Sequence, residues 1–281
     1  MYADPQSRPV VFTVLAQLFS LGKVGHFYYL FSILTTPGFN TVVDKQVPIS
    51  VSKAILPAMV LGYILPTILM FLPFQDDTIS EKFIAFWQFS PAVFAVLSSL
   101  FAAIIKASDD RQEHRQGILE GKNENEITIK KALRTYDNVE VDPLKSTYTF
   151  VFFASALVHV TSVLYSWIES GKSLTSVLAS FIGLDAGVQN LFSSSWTAVE
   201  PAENSLTLFK LDMLYSVVPL VIFLMYTIWD IRKRGYVTTA AAQKAAVGVV
   251  AGSVLVGPAA TYAGLWYWRE SVLAGLAHSP C

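Results

Sequence analysis

The chain is 281 residues long, 53% hydrophobic and only 15% charged, with a net charge of -1. Soluble domains carry roughly 25% charged residues, so this composition is that of a membrane protein, and its basic residues form neither an excess nor a patch fit for nucleic acid. The single cysteine, Cys281, stands at the last position and excludes an internal disulfide or a cysteine-rich metal site.

In chain order, Met1–Pro9 carries one basic residue, Arg8, ahead of an apolar stretch longer than a signal-peptide core, and no small-residue cleavage pattern follows. It reads as a retained first span. Seven stretches approach the ~20 apolar residues that cross a ~30 Å hydrocarbon core. They are Pro9–Thr36, Ser52–Leu72, Glu81–Lys106, Ser146–Ile168, Ser173–Phe192, Leu206–Ile231 and Thr239–Tyr267. The fifth mixes serines with Asp185, Gln189 and Asn190, so it is either a span or a re-entrant element lining something wet. Six crossings would place the basic Lys106–Lys145 connection and Arg232-Lys233-Arg234 on one side, opposite Asp76, Asp77 and Glu81, as the positive-inside tendency prefers. Seven crossings violate that tendency once. Residues 107–145 form the one sizeable polar loop, with a short amphipathic helix predicted around Ile127–Tyr136. The expected fold is all-α: a polytopic membrane helical bundle of seven hydrophobic helices, in a single transmembrane domain over residues 1–281.

Several polar residues interrupt these stretches. Lys23 and His26 lie three residues apart on one face of the first, with Ser20 and Tyr29 extending the stripe. A lysine at this depth either snorkels or faces the bundle and finds a partner, as a packing ion pair or as a substrate contact, and a mid-span position makes snorkelling hard. In the fourth stretch Ser155, His159, Ser162 and Ser166 share one face, and His159 is either an interhelical hydrogen-bond partner or a proton handler. In the sixth, Asp212, Tyr215, Ser216 and Pro219 form a stripe. A carboxylate there costs free energy unless it is protonated, paired or lining a polar cavity. Alternatively it lies at the headgroup boundary, since the 17 residues from Met213 to Trp229 already make ~26 Å of helix. Its candidate partners are Lys23, His26 and His159, with Lys210 on another face. The second stretch holds Pro57, Pro66 and Pro73, and repeated proline predicts a kinked helix beside a cavity, with Tyr63, Trp87 and Gln88 near it.

Familiar chemistries drop out. Four histidines cannot supply di-iron His boxes, and neither a glycine-rich phosphate loop nor a nucleophile elbow occurs. A retinal lysine is also missing, because Lys244 lies near the start of the last stretch. The acidic run Asp109-Asp110-Arg111-Gln112-Glu113 occurs once, in a loop already rich in acids, and reads as solvated surface before it reads as a metal motif.

The segment His26-Phe27-Tyr28-Tyr29-Leu30, the proline-rich Leu56–Pro73 helix, Trp87-Gln88 with Pro91, His159, and Leu208-Phe209-Lys210-Leu211-Asp212 follow one another in an order that resembles the small fungal integral-membrane terpene cyclases of meroterpenoid pathways, of the macrophorin, ascochlorin and ascofuranone type. Lys210 stands where glutamine is expected in that family. The resemblance implies a heptahelical enzyme of the endoplasmic reticulum membrane that needs no cofactor and no metal. It implies a terpene cyclase that protonates an epoxide or olefin of a prenylated small-molecule substrate and steers the carbocation to ring closure. On that reading Asp212 is the acid, with His159 and His26 assisting, and Lys23, Tyr63, Trp87, Gln88 and Tyr215 contact substrate. The expected partners are the substrate and the lipid bilayer, with no nucleic acid. The competing readings are a seven-helix receptor or small transporter, and a scaffold whose polar stripes only hold helices together.

Overall fold

A computed structural model describes residues 9–35, 41, 47–74, 76–121, 123, 125–126, 129, 138–182 and 201–277, with the backbone alone described at 9, 10, 77 and 201–207. Every regular element among them is a helix. In chain order these are α1 (Pro9–Phe19), α2 (Leu21–Thr35), α3 (Ile49–Phe71), α4 (Asp77–Trp87), α5 (Ser90–Leu119), α6 (Val141–Ser170), α7 (Leu174–Phe181), α8 (Pro201–Lys233), α9 (Thr239–Leu255) and α10 (Pro258–Ala277).

Among the described residues the all-α expectation holds, but in place of the expected seven hydrophobic spans four helices are long and apolar enough to cross a membrane: Ile49–Phe71, Ser90–Leu119, Val141–Ser170 and Leu208–Lys233. Backbone breaks account for most of the difference. The first stretch is cut at Ser20, whose φ of 78° no α-helix accepts, leaving pieces of 11 and 15 residues. The third is cut at Gln88 and Phe89, just ahead of Pro91 in the first turn of α5. The last is cut at Gly257, with φ of 93°, and Pro258, so that α9 has only 17 residues. Of the fifth stretch the described part is α7, whose eight residues make ~12 Å of helix, too short to cross. Hydropathy averaged along a window does not register one residue of wrong handedness.

The polar connection expected from residue 107 is helical through Leu119, as a continuation of α5. The amphipathic helix expected around Ile127–Tyr136 lies outside the described residues except for Ile129.

The chain forms two compact units, one from the described residues of 1–40 and 148–276, the other from those of 41–147 with 277. In the first, α8 packs on α2 and α9, and α1 folds back on α2 with Phe12 edge-on to Tyr28 at 5.1 Å. Its core joins Phe223, Leu224 and Ile228 of α8 to Ala242 and Val249 of α9 and Leu265 of α10, and Tyr29 of α2 stacks on Phe223 at 4.9 Å. In the second unit α3 packs on α5. Between Pro57 and Pro66, α3 widens into a π-turn over Val60–Ile64, where the Leu65 N–H reaches the Val60 carbonyl, five residues back. A proline ring clashes with the carbonyl four residues before it, and the wider turn makes room for Pro66. The expected cavity beside this kink is not found at Gly62. A Cβ there would lie 2.9 Å from Phe94 Cα, so the two backbones already touch.

Large apolar side chains lie exposed along the long helices, among them Phe71, Phe153, Leu157, Val158 and Ile168, while Thr227, Ser253, Arg269 and Glu270 are buried. Only 6% of the most apolar window of α5 and of α6 is buried. Such a surface is compatible with membrane association, since water-soluble monomers rarely expose apolar patches of this extent.

Candidate functional site

Asp212 lies within α8, half-buried, and the partner it finds is a backbone group. Its Oδ1 accepts the N–H of Gly22 at 2.9 Å. The left-handed Ser20 ends α1, so α2 begins at Leu21 with N–H groups that lack intrahelical acceptors. A carboxylate is well placed there, because it fills an orphan donor and faces the positive end of the helix dipole. Only glycine permits the approach: a Cβ on Gly22 would sit 2.5 Å from Asp212 Oδ1 and 2.8 Å from Asp212 O.

His26 lies one turn along α2. Its Nδ1 is 2.5 Å from the Gly22 carbonyl, which can only accept, so Nδ1 carries the proton and a neutral ring keeps Nε2 as an acceptor. The Tyr215 ring, on the turn of α8 after Asp212, has its centroid 6.4 Å from that of His26. Ser216 donates to the Asp212 carbonyl at 2.7 Å. Asp212, His26 and Tyr215 therefore form one cluster, with His26 and Tyr215 exposed. Asp212 Oδ2 has no hydrogen-bond partner among the described residues. Lys23 belongs to the same turn of α2 and is exposed.

The other expected site residues have contacts of their own. His159 of α6 donates from Nε2 to the Val254 carbonyl at 3.1 Å, near the C-terminus of α9 where carbonyls lack helical partners. Its ring fills the space beside Gly257, where a Cβ would lie 2.8 Å from its Cγ, and Phe181 of α7 meets it edge-on at 5.8 Å. These contacts pin the α9–α10 turn. In the second unit Tyr63 and Trp87 have ring centroids 6.1 Å apart, and Trp87 Nε1 donates to Thr67 Oγ1 at 2.9 Å. Gln88, just past α4, is exposed. Asp109, in the acidic run, pairs with Lys53 at 3.2 Å.

Sequence reasoning missed Gly22, whose signal was the Gly22-Lys23-Val24-Gly25 spacing of small residues in a polar-marked helix. It also missed Arg269 and Glu270, a buried ion pair just beyond the expected end of the last stretch, with the guanidinium over Trp266 at 4.6 Å.

The sequence profile of the CtvD domain matches residues 6–274. The chain belongs to the CtvD domain family. Among curated proteins it is 24% identical over 274 residues to "FAD-dependent monooxygenase verC1" of Penicillium polonicum, a match covering 96% of this chain and 29% of that protein. It is 27% identical over 241 residues to "FAD-dependent monooxygenase atnA" of Arthrinium sp, covering 85% and 24%. The chain thus spans less than a third of the length of these curated relatives. No solved structure matches it.

These names correct the expected function. Both relatives are named as flavin-dependent oxygenases, which a terpene cyclase that only moves protons does not fit, and they support neither a receptor nor a transporter. The isomerase and lyase assignments go with the cyclase, and what the relatives' names give is that both relatives are enzymes. The described residues contain no glycine turn between strand and helix of the dinucleotide-binding kind. A dinucleotide fold cradles pyrophosphate on a glycine-rich turn between strand and helix. Here the described elements are helices, and Gly22, Gly62 and Gly252 are each closed off by Asp212, Phe94 and Thr261.

Proposed function

We propose that this chain is a membrane-embedded, substrate-holding module of a flavin-dependent oxygenation system in fungal secondary metabolism, presenting an apolar, prenylated small molecule to a flavoprotein carried elsewhere. One observation carries the reading: 96% and 85% of the chain match under a third of the two FAD-dependent monooxygenases. The described residues offer no flavin cradle, which fits a portion that handles substrate. The apolar helices suit a substrate that partitions into the bilayer, in the endoplasmic reticulum on our reading.

Within the module we assign the polar end of the substrate to the Asp212 cluster. Asp212 Oδ1 is occupied by Gly22, which fixes the carboxylate, and Oδ2 remains to accept a hydrogen bond from a substrate hydroxyl. His26 Nε2 and the Tyr215 hydroxyl supply an acceptor and a donor beside it. Lys23 is assigned as a further substrate contact beside this cluster, and His159 as a positioning residue for the α9–α10 turn.

The test is a chimera in which this chain replaces the matching portion of the Penicillium polonicum monooxygenase. Microsomes containing it form the oxygenated product, while microsomes lacking that portion do not. In the chimera Asp212→Asn still caps Gly22 but loses the charge, and kcat/KM falls about 10- to 100-fold, the worth of one charge-assisted hydrogen bond of about 1.5–3 kcal/mol. Undiminished oxygenation after deletion of the matching portion overturns the proposal.

A further inference from the structure

Helices α9 and α10 meet at the Gly257 turn and then separate. Near the turn they are in contact, since a Cβ on Gly252 would lie 2.7 Å from Thr261 Oγ1. One turn further from it, a Cβ on Gly248 would meet nothing within 4 Å. Between the helices, with Phe152 of α6 as part of its floor, runs a groove of about 580 Å³. That volume lies within the ~300–1,000 Å³ of small-molecule sites. Val249 and Leu265 make the rest of the floor, and Trp268 lies toward the open end. Thr261 lines the closed end, and its hydroxyl is engaged by the Gly257 carbonyl at 2.9 Å.

One charge lines this groove: Lys244, at the open end, exposed and without an acidic partner among the described residues. That end of α9 is cationic beyond Lys244. Arg232 and Lys233 close α8, Arg232 donates to Thr239 Oγ1 at 2.8 Å, and Lys233 lies over Trp229 at 4.8 Å. Basic residues beside tryptophans mark the level of lipid headgroups, where each cation attracts anionic lipid. The eight helical steps from Lys244 to Gly252 rise ~12 Å, close to the depth of one leaflet in a ~30 Å core.

We propose that this groove holds one acyl chain of an anionic phospholipid, threaded from the open end as far as the Gly252–Thr261 contact, with its phosphate on Lys244. The proposal rests on the chain lying in a bilayer and is independent of its part in oxygenation. A neutral amphiphile would fill the apolar floor equally well but leave Lys244 unanswered. The lysine stem covers apolar surface while its ammonium reaches the headgroup.

The test is lipid retention. The purified chain is assembled in nanodiscs of equal parts phosphatidylcholine and phosphatidylglycerol, released under mild conditions, and its bound lipid read by native mass spectrometry. The expected result is one retained lipid per chain, with phosphatidylglycerol favoured about fivefold. Lys244→Gln abolishes the preference without abolishing retention. Gly248→Leu fills the open space and abolishes retention, and its thermal unfolding confirms that the variant is folded. Lys106→Gln, which removes a lysine from α5, leaves both unchanged. Equal retention of the two lipids, no retained lipid, or a preference that survives Lys244→Gln overturns the proposal.

Discussion

Gly22 and Asp212 are 190 residues apart in sequence, and their contact accounts for a carboxylate in an apolar helix. Intramembrane acids pair, and the polar residues Lys23, His26 and His159 are the partners visible in the sequence. The structure uses an uncharged one, the N–H at the start of α2, which exists because Ser20 breaks the helix. That partner was illegible because a broken turn leaves no compositional mark. The geometry yields a pair of outcomes. Gly22→Ala forces a Cβ against the Asp212 carboxylate and backbone and costs about 1–3 kcal/mol, as overpacking does. Gly25→Ala, whose Cβ would have Tyr29 Cε2 as its nearest neighbour at 3.7 Å, is neutral or stabilising by up to ~1 kcal/mol through helix propensity. Thermal unfolding in detergent separates them, and equal behaviour would falsify the close approach.

Among the elements, α3 shows how far local signals reach. Pro57 and Pro66 announced a distorted helix, and the distortion is there as a π-turn. At Gly62 the turn lies directly on the backbone of Phe94. Proline reports the strain in its own helix but says nothing of what packs against it. Gly62→Ala should therefore destabilise the second unit by about 1–3 kcal/mol. Hydrogen exchange reads this as faster exchange over α3 and α5 together, and loss of protection in α3 alone would argue against the contact. The α9–α10 break was written more plainly, in Gly257-Pro258, yet an averaged window passed over it.

For the whole molecule, the distribution of polarity is the readable property. Large apolar side chains cover the long helices outside while Arg269 and Glu270 are enclosed. Expressed in yeast, the chain is expected to stay in the membrane pellet after alkaline carbonate extraction, and release into the supernatant would refute the membrane assignment. The sequence by itself determined the helical class and the apolar character of the chain, because contiguous runs of about 20 apolar residues with few charges satisfy their backbone groups within a helix. The tertiary structure decided which helices are long enough to cross, what Asp212 binds, and that His159 serves a turn apart from the Asp212 cluster. Those outcomes depend on single backbone angles at Ser20 and Gly257 and on contacts between residues far apart in the chain, which neither composition nor period contains.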